Sequence, residues 1–184
     1  MKPGLIVVDM QIRFKHVAQN MNIVGNIVEV MKACHDRSIP VFITQHHDPD
    51  PTTVTYRWWA RTPLPKDCDD WKLITDISQA TDQRYDTFID SKVTYDAFYG
   101  TELKQSLLEH GVDTVVVCGV VSNLCCETTA RSAFVNNFSV VFLSDGNAAR
   151  AKEFHDATIK NLETGFATIM TCQEFINCVQ KLNA

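Results

Sequence analysis

Short apolar runs rich in β-branched residues alternate with helical patterns along nearly the whole chain, and that alternation limits the folds open to it. Residues 5–8, 40–44, 87–89, 114–118, 139–143 and 166–170 each have strand length and strand composition. Residues 21–37 place Ile23, Ile27, Val30 and Met31 on one helical face, and residues 102–110, 123–135, 151–163 and 172–182 also read as helices. Strands that are continuously apolar are buried on both sides, and strands connected through helices run parallel. The expectation is an α/β fold: one domain, residues 1–184, with a doubly wound, Rossmann-like, mostly parallel six-stranded sheet and helices on both faces. One stretch breaks the rhythm. Residues 45–86 are long and polar, hold the Trp58–Trp59 pair, and read as a functional loop or lid.

Composition excludes several classes of partner. The formal net charge is −5 and no Lys/Arg cluster occurs, which argues against nucleic acid. No apolar run is long enough to span a membrane. The opening MKPGLIVVDMQ reads as a first strand rather than a signal peptide, so a cytoplasmic protein is expected. Its seven cysteines show no C-x-x-C or zinc-finger spacing, so most are expected to be reduced, buried packing residues.

In open parallel sheets, ligands bind beyond the carboxyl ends of the strands. Asp9 follows the first strand, Lys92 the third, and Cys125 the fourth across a glycine-containing turn. Cys125 falls in the first turn of a helix, where unpaired N–H groups favour a thiolate and can receive an oxyanion. Each residue alone has a plainer reading: a turn aspartate, a solvated lysine, a small core residue. All three at one edge suggest a hydrolytic site, but pattern alone leaves both readings open. Cys126 points about 100° away around the helix, toward packing.

Three motifs carry a resemblance. They are VVDMQ with Asp9 and Gln11, SKVTYDAFYGTEL with Lys92, Phe98, Gly100 and Thr101, and GVVSNLCCETTA with Cys125. In this order and spacing the chain resembles the isochorismatase-like cysteine hydrolases, which include nicotinamidases, N-carbamoyl amidohydrolases and ureidoacrylate hydrolases. The later SDG turn (residues 144–146) and a helix with His155 also match. The resemblance implies a triad of Asp9, Lys92 and Cys125, with Asp9 moving protons and Cys125 as the nucleophile that forms a thioester. It implies an oxyanion hole from the backbone N–H groups of Val121 and Cys125, with a cis peptide joining Val120 to Val121. Isochorismatases themselves carry Gly at the position of Cys125, so the thiol points to C–N bond hydrolysis of a small amide, carbamoyl or ureide substrate. Glu127 is similar to the glutamate that follows the nucleophile in ureidoacrylate-type hydrolases. A homo-oligomer, dimer or higher, is also implied.

The nicotinamidases of this family hold a divalent metal in a T-Q-D-x-H segment with a further His downstream. This chain reads TQHHD, with His46, His47 and Asp48, and has no other His until His110. Those three are metal-ligand types, but surface or lid-supporting roles are the expectation, with no metal and no cofactor. A nicotinamidase-like enzyme with an altered metal site remains the alternative. Phe14, Trp58, Trp59, Tyr95 and Phe98 are candidates for a stacking wall, and Arg57 and Arg61 for a substrate carboxylate. Two readings outside hydrolysis stand beside these: a thiol redox protein, which lacks a resolving cysteine at C-x-x-C spacing, and an idle oligomeric scaffold.

Overall fold

The computed structural model describes residues 1–48, 50–59 and 63–181. Six strands, β1 (Pro3–Val8), β2 (Val41–Thr44), β3 (Asp86–Ile89), β4 (Thr114–Val120), β5 (Ser139–Ala148) and β6 (Thr168–Met170), form one sheet in the order β3-β2-β1-β4-β5-β6. Every pairing is parallel, so the expected mostly parallel sheet is wholly so. The order reverses between β1 and β4, which opens a crevice at their carboxyl ends.

Alternation along the strands builds two cores. Leu5 and Val7 of β1, with Val116 and Cys118 of β4, face α1 (Lys15–Asn20), α2 (Ile23–Asp36), α4 (Thr75–Gln79) and α8 (Cys172–Lys181). Ile6, Val8, Val115 and Val117 face the opposite side, under α5 (Leu103–Glu109), α6 (Glu127–Val135) and α7 (Lys152–Gly165). Residues on these strands are buried whichever way they point, which is why the sequence shows runs rather than alternation. The expected end of the closing helix, residue 182, lies outside the described residues.

Two strands run further than their apolar runs. β4 continues through Gly119 and Val120, and Gly119 sits at φ +126° with a virtual Cβ only 2.1 Å from the Val8 carbonyl oxygen. No side chain fits there. The SDG segment, expected to stop β5, instead lies within it as a bulge. Val117 pairs with Phe142 and Gly119 with Asn147, so residues 143–146 of β5 lie opposite Cys118 alone. The Asn147 side chain donates to the Val117 and Leu143 carbonyls across the bulge. Polar residues in the run hid the continuation.

Residues 45–85 hold no strand among those described, and β3 begins at Asp86. They carry α3 (Val54–Trp59), a 3₁₀ turn (Asp69–Trp71) and α4, and they contact the body at the isolated Gln11–Leu73 bridge. No helix among the described residues is long and apolar enough to cross a membrane.

Candidate active site

β1 ends at Val8, and the next residue, Asp9, takes a left-handed backbone at φ +50°. Its side chain lies fully buried at the crevice. The Thr44 hydroxyl at the end of β2 donates to Asp9 Oδ1 (2.6 Å) and accepts from the Asp9 backbone N–H (3.1 Å). Lys92 arrives from the loop after β3, also fully buried, and its Nζ donates to Asp9 Oδ2 at 2.6 Å. The same Nζ lies 3.4 Å from Cys125 Sγ. An aspartate from β1, a lysine from beyond β3 and a cysteine from beyond β4 thus meet around one ammonium.

Gln11 braces this edge. Its amide donates to the His46 and Trp71 carbonyls, and its Oε1 accepts from the His46 N–H. Three contacts from one buried side chain tie the end of β1 to the long segment. The His47 N–H donates to the Lys92 carbonyl, which joins the loops after β2 and β3.

Cys125 lies in a single π-helical turn, Ser122–Cys126, that leads into α6. The Val121 carbonyl accepts from the Leu124 and Cys126 N–H groups, and the Val120–Val121 peptide is cis, at the position expected. A π turn inside a helix is rare and frequent at functional sites. Cys126 is fully buried among core residues.

Electrostatics divide the labour among the three groups. Burial by itself would raise the Asp9 carboxyl, but Lys92, His46 and the Thr44 hydroxyl together hold it below the usual carboxylate range. Lys92 is desolvated, yet Asp9 and Cys125 keep its pKa raised. For Cys125, burial and the Asp9 charge outweigh the attraction of Lys92, and the thiol is pushed up to about 12. Burial thus opposes the bias toward thiolate expected of the helix start. The resting arrangement is a thiol beside an ionised carboxylate, which calls for a base at Asp9.

A cavity of about 430 Å³ opens over Cys125 and Val121. Phe14, Trp58, Trp59 and Tyr95, four of the candidates for a stacking wall, line it. Trp59 Nε1 donates to the Tyr95 hydroxyl at 2.6 Å and pins α3 to the body. Phe98 does not line it. Asp96 Oδ1 accepts the Phe98 N–H in a tight turn that separates Tyr95 from Phe98, and Phe98 packs on Phe138 in the core. Arg57 is exposed on α3 away from the cavity, and Arg61 lies outside the described residues. Glu127 also stays out of it, bonded to Arg131 and Thr158.

Sequence reasoning missed Arg150, Arg13, Leu64, Thr55 and Leu124 in the wall. Arg150 lies over the Trp59 ring, 5.0 Å from its centroid. It follows the true end of β5, so the rule that singled out Asp9 would have found it had the strand been extended past the bulge.

His46 and Asp48 also line the cavity. His46 Nε2 lies 3.1 Å from Asp48 Oδ1, and Asp48 Oδ2 accepts the Leu64 N–H. Among the described residues, His46 Nε2 and the Asp48 carboxylate are engaged, while His46 Nδ1 and His47 Nδ1 are buried without a hydrogen-bond partner, and no group of three His, Cys, Asp or Glu is arranged to hold a metal ion. These residues do not fit a three-ligand metal centre.

A family model described as the isochorismatase domain matches residues 3–174. The chain belongs to the isochorismatase family. It is 38% identical over 174 residues to nicotinamidase 3 of Arabidopsis thaliana, covering 93% of this chain and 85% of that protein. Among solved structures it is similar to a cysteine hydrolase from Pseudomonas syringae pv. phaseolicola, with a TM-score of 0.88 and 27% identity over 97% of this chain and 92% of that one. It is also similar to N-carbamoylsarcosine amidase from Thermoplasma acidophilum, with a TM-score of 0.81 and 28% identity over 94% and 97% of the two chains. By family and fold this is an isochorismatase-like cysteine hydrolase.

Proposed function

We propose that this enzyme hydrolyses a C–N bond of a small amide, carbamoyl or ureide substrate through a thioester on Cys125, without a metal. The observation that carries the reading is the buried Lys92 ammonium held 2.6 Å from Asp9 and 3.4 Å from Cys125, beneath a cavity sized for a small molecule. In the first half-reaction, Asp9 takes the Cys125 proton as sulfur attacks the carbonyl carbon. The oxyanion is received by the backbone N–H groups of Val121 and Cys125. The C–N bond breaks as Asp9 returns the proton to the departing nitrogen. In the second half-reaction Asp9 takes a proton from water, whose oxygen attacks the thioester, and hands it to the leaving thiolate. Lys92 holds Asp9 in place throughout and keeps it ionised in the resting enzyme, and its charge favours the thiolate form when that form arises.

A second reading, nicotinamide as the substrate, is favoured by the 38% identity to a nicotinamidase. The His46–Asp48 pairing weighs against the metal-bound form of that chemistry. One assay addresses both. Ammonia release is measured over a panel of small amides, carbamoyl compounds, ureides and nicotinamide, for wild type and Cys125→Ala. Cys125-dependent ammonia from at least one compound is the expected result. Turnover that survives Cys125→Ala, or a panel with no turnover at all, overturns the proposal, and activity confined to nicotinamide selects the second reading.

A further inference from the structure

The chemistry above makes no use of a buried pair directly behind the nucleophile turn. Ser122, fully buried, follows Val121 and opens the π-helical turn, and His155 projects from the first turn of α7 with 6% of its surface exposed. Ser122 Oγ lies 2.8 Å from His155 Nδ1. The His155 ring is also hydrogen-bonded to the backbone of Ser144, inside the β5 bulge. Neither Ser122 nor His155 lines the cavity, so neither meets substrate there.

We propose that His155 is a positioning residue for hydrolysis: through Ser122 it holds the turn that presents the Val121 and Cys125 N–H groups to the oxyanion. The inference rests on the proposed thioester chemistry. A neutral imidazole has one N–H and one acceptor nitrogen. Donation to the Ser144 carbonyl leaves Nδ1 as the acceptor for the Ser122 hydroxyl, and one tautomer satisfies both partners. The chain Ser122–His155–Ser144 thereby fastens the oxyanion turn to β5 across the sheet edge. Oxyanion donors act through placement within a few tenths of an ångström, and a turn freed at Ser122 loses transition-state binding rather than substrate binding.

The same arrangement makes the turn sensitive to acid. Burial holds His155 below its usual range against the opposing pull of Asp156 and the Ser144 backbone, with Lys152 adding to the lowering. The charged groups on neighbouring elements are engaged elsewhere. Glu127 of α6 is bonded to Thr158 and Arg131, and Asp145 of β5 accepts the Cys172 N–H. His155 is therefore neutral at neutral pH. Protonation would turn Nδ1 from an acceptor into a donor, reverse the direction of the bond to Ser122 and put a charge behind the turn, so turnover falls on the acid side.

The test is steady-state kinetics across pH for Ser122→Ala, His155→Ala, the double variant and His155→Asn. The two alanine variants are expected to lower kcat at least about tenfold, short of the 10²–10³ lost with an oxyanion donor itself. KM should stay within about threefold, and the double variant should be no slower than the worse single, because both remove one interaction. Asparagine sets an amide oxygen near the place of Nδ1 and does not titrate. His155→Asn should restore most of the kcat and move the acid limb of the profile to lower pH. If His155→Ala does not fold, Ser122→Ala, which deletes one hydroxyl, and His155→Asn still decide the matter. An unchanged kcat in Ser122→Ala, additive losses in the double variant, or an acid limb unmoved in His155→Asn each overturns the proposal. Those outcomes occur with an active wild type. A wild type without Cys125-dependent turnover removes the thioester reading and this inference together.

Discussion

The triad edge and the cavity wall lie within one site but are built in opposite ways. Asp9, Lys92 and Cys125 sit just past the ends of strands, essentially enclosed, with every charge partnered. The wall is drawn largely from the long connection after β2, where Trp58 is 76% exposed and Trp59 38%. Groups on strand ends inherit the rigidity of a two-sided core, whereas a long connection held by a few hydrogen bonds can vary without disturbing it. The contrast teaches that chemistry here belongs to the sheet and selectivity to the loop.

Each prediction tests that division, beginning with the largest expected effect. Asp9→Asn keeps the shape of the side chain but removes the base, and kcat should fall by about 10⁴-fold, as when other hydrolytic triads lose a member. Near-normal turnover in this variant would mean the proton passes elsewhere.

Lys92→Ala should cost about 3–5 kcal/mol of stability by leaving Asp9 buried without its cation. It should also reverse a pH dependence. In the wild type the Asp9 carboxyl lies below its unfolded value, so its contribution is complete above that value and disappears as pH falls through the folded pKa. Without Lys92, burial raises the carboxyl above its unfolded value, and stability is greatest in acid and declines as pH rises. Urea unfolding at mildly acid and neutral pH checks the sign. A variant that gains stability toward neutral pH breaks the assignment.

On the wall side, Trp59→Ala removes the bond to Tyr95 and the ring beneath Arg150. A rise of about tenfold in KM is expected, with stability within about 0.5 kcal/mol, as for an exposed position. A large loss of stability would show that the loop belongs to the core after all. The smallest effect concerns His46 and Asp48. Prolonged chelation should leave activity unchanged within about twofold, because both side chains are already hydrogen-bonded within the loop. Loss of activity restored by zinc would overturn this.

How far the sequence could be read follows the same boundary. Residues 115–117 announce β4 because a strand buried on both faces must be apolar throughout. Residues 144–147 concealed the end of β5 because the polar side chains of the bulge find partners on other elements (Ser144 at the Met170 carbonyl, Asp145 at the Cys172 N–H, Asn147 at the Val117 carbonyl) and need no apolar pattern. That error moved the predicted strand edge and hid Arg150. Phe98 was assigned to the wall because an aromatic beside a motif gives no sign of which way a tight turn will send it.

The order of strands and helices, the placement of Asp9, Lys92 and Cys125 beyond strand ends, and the separation of Cys125 from Cys126 were all legible in the sequence, since each depends on local periodicity. Only the tertiary structure decided the rest. Whether the thiol rests protonated depends on burial and on two charges that arrive from residues 83 apart in sequence. Which aromatics face the cavity, and that Ser122 meets His155 behind the turn, depend likewise on through-space distances that no local pattern encodes.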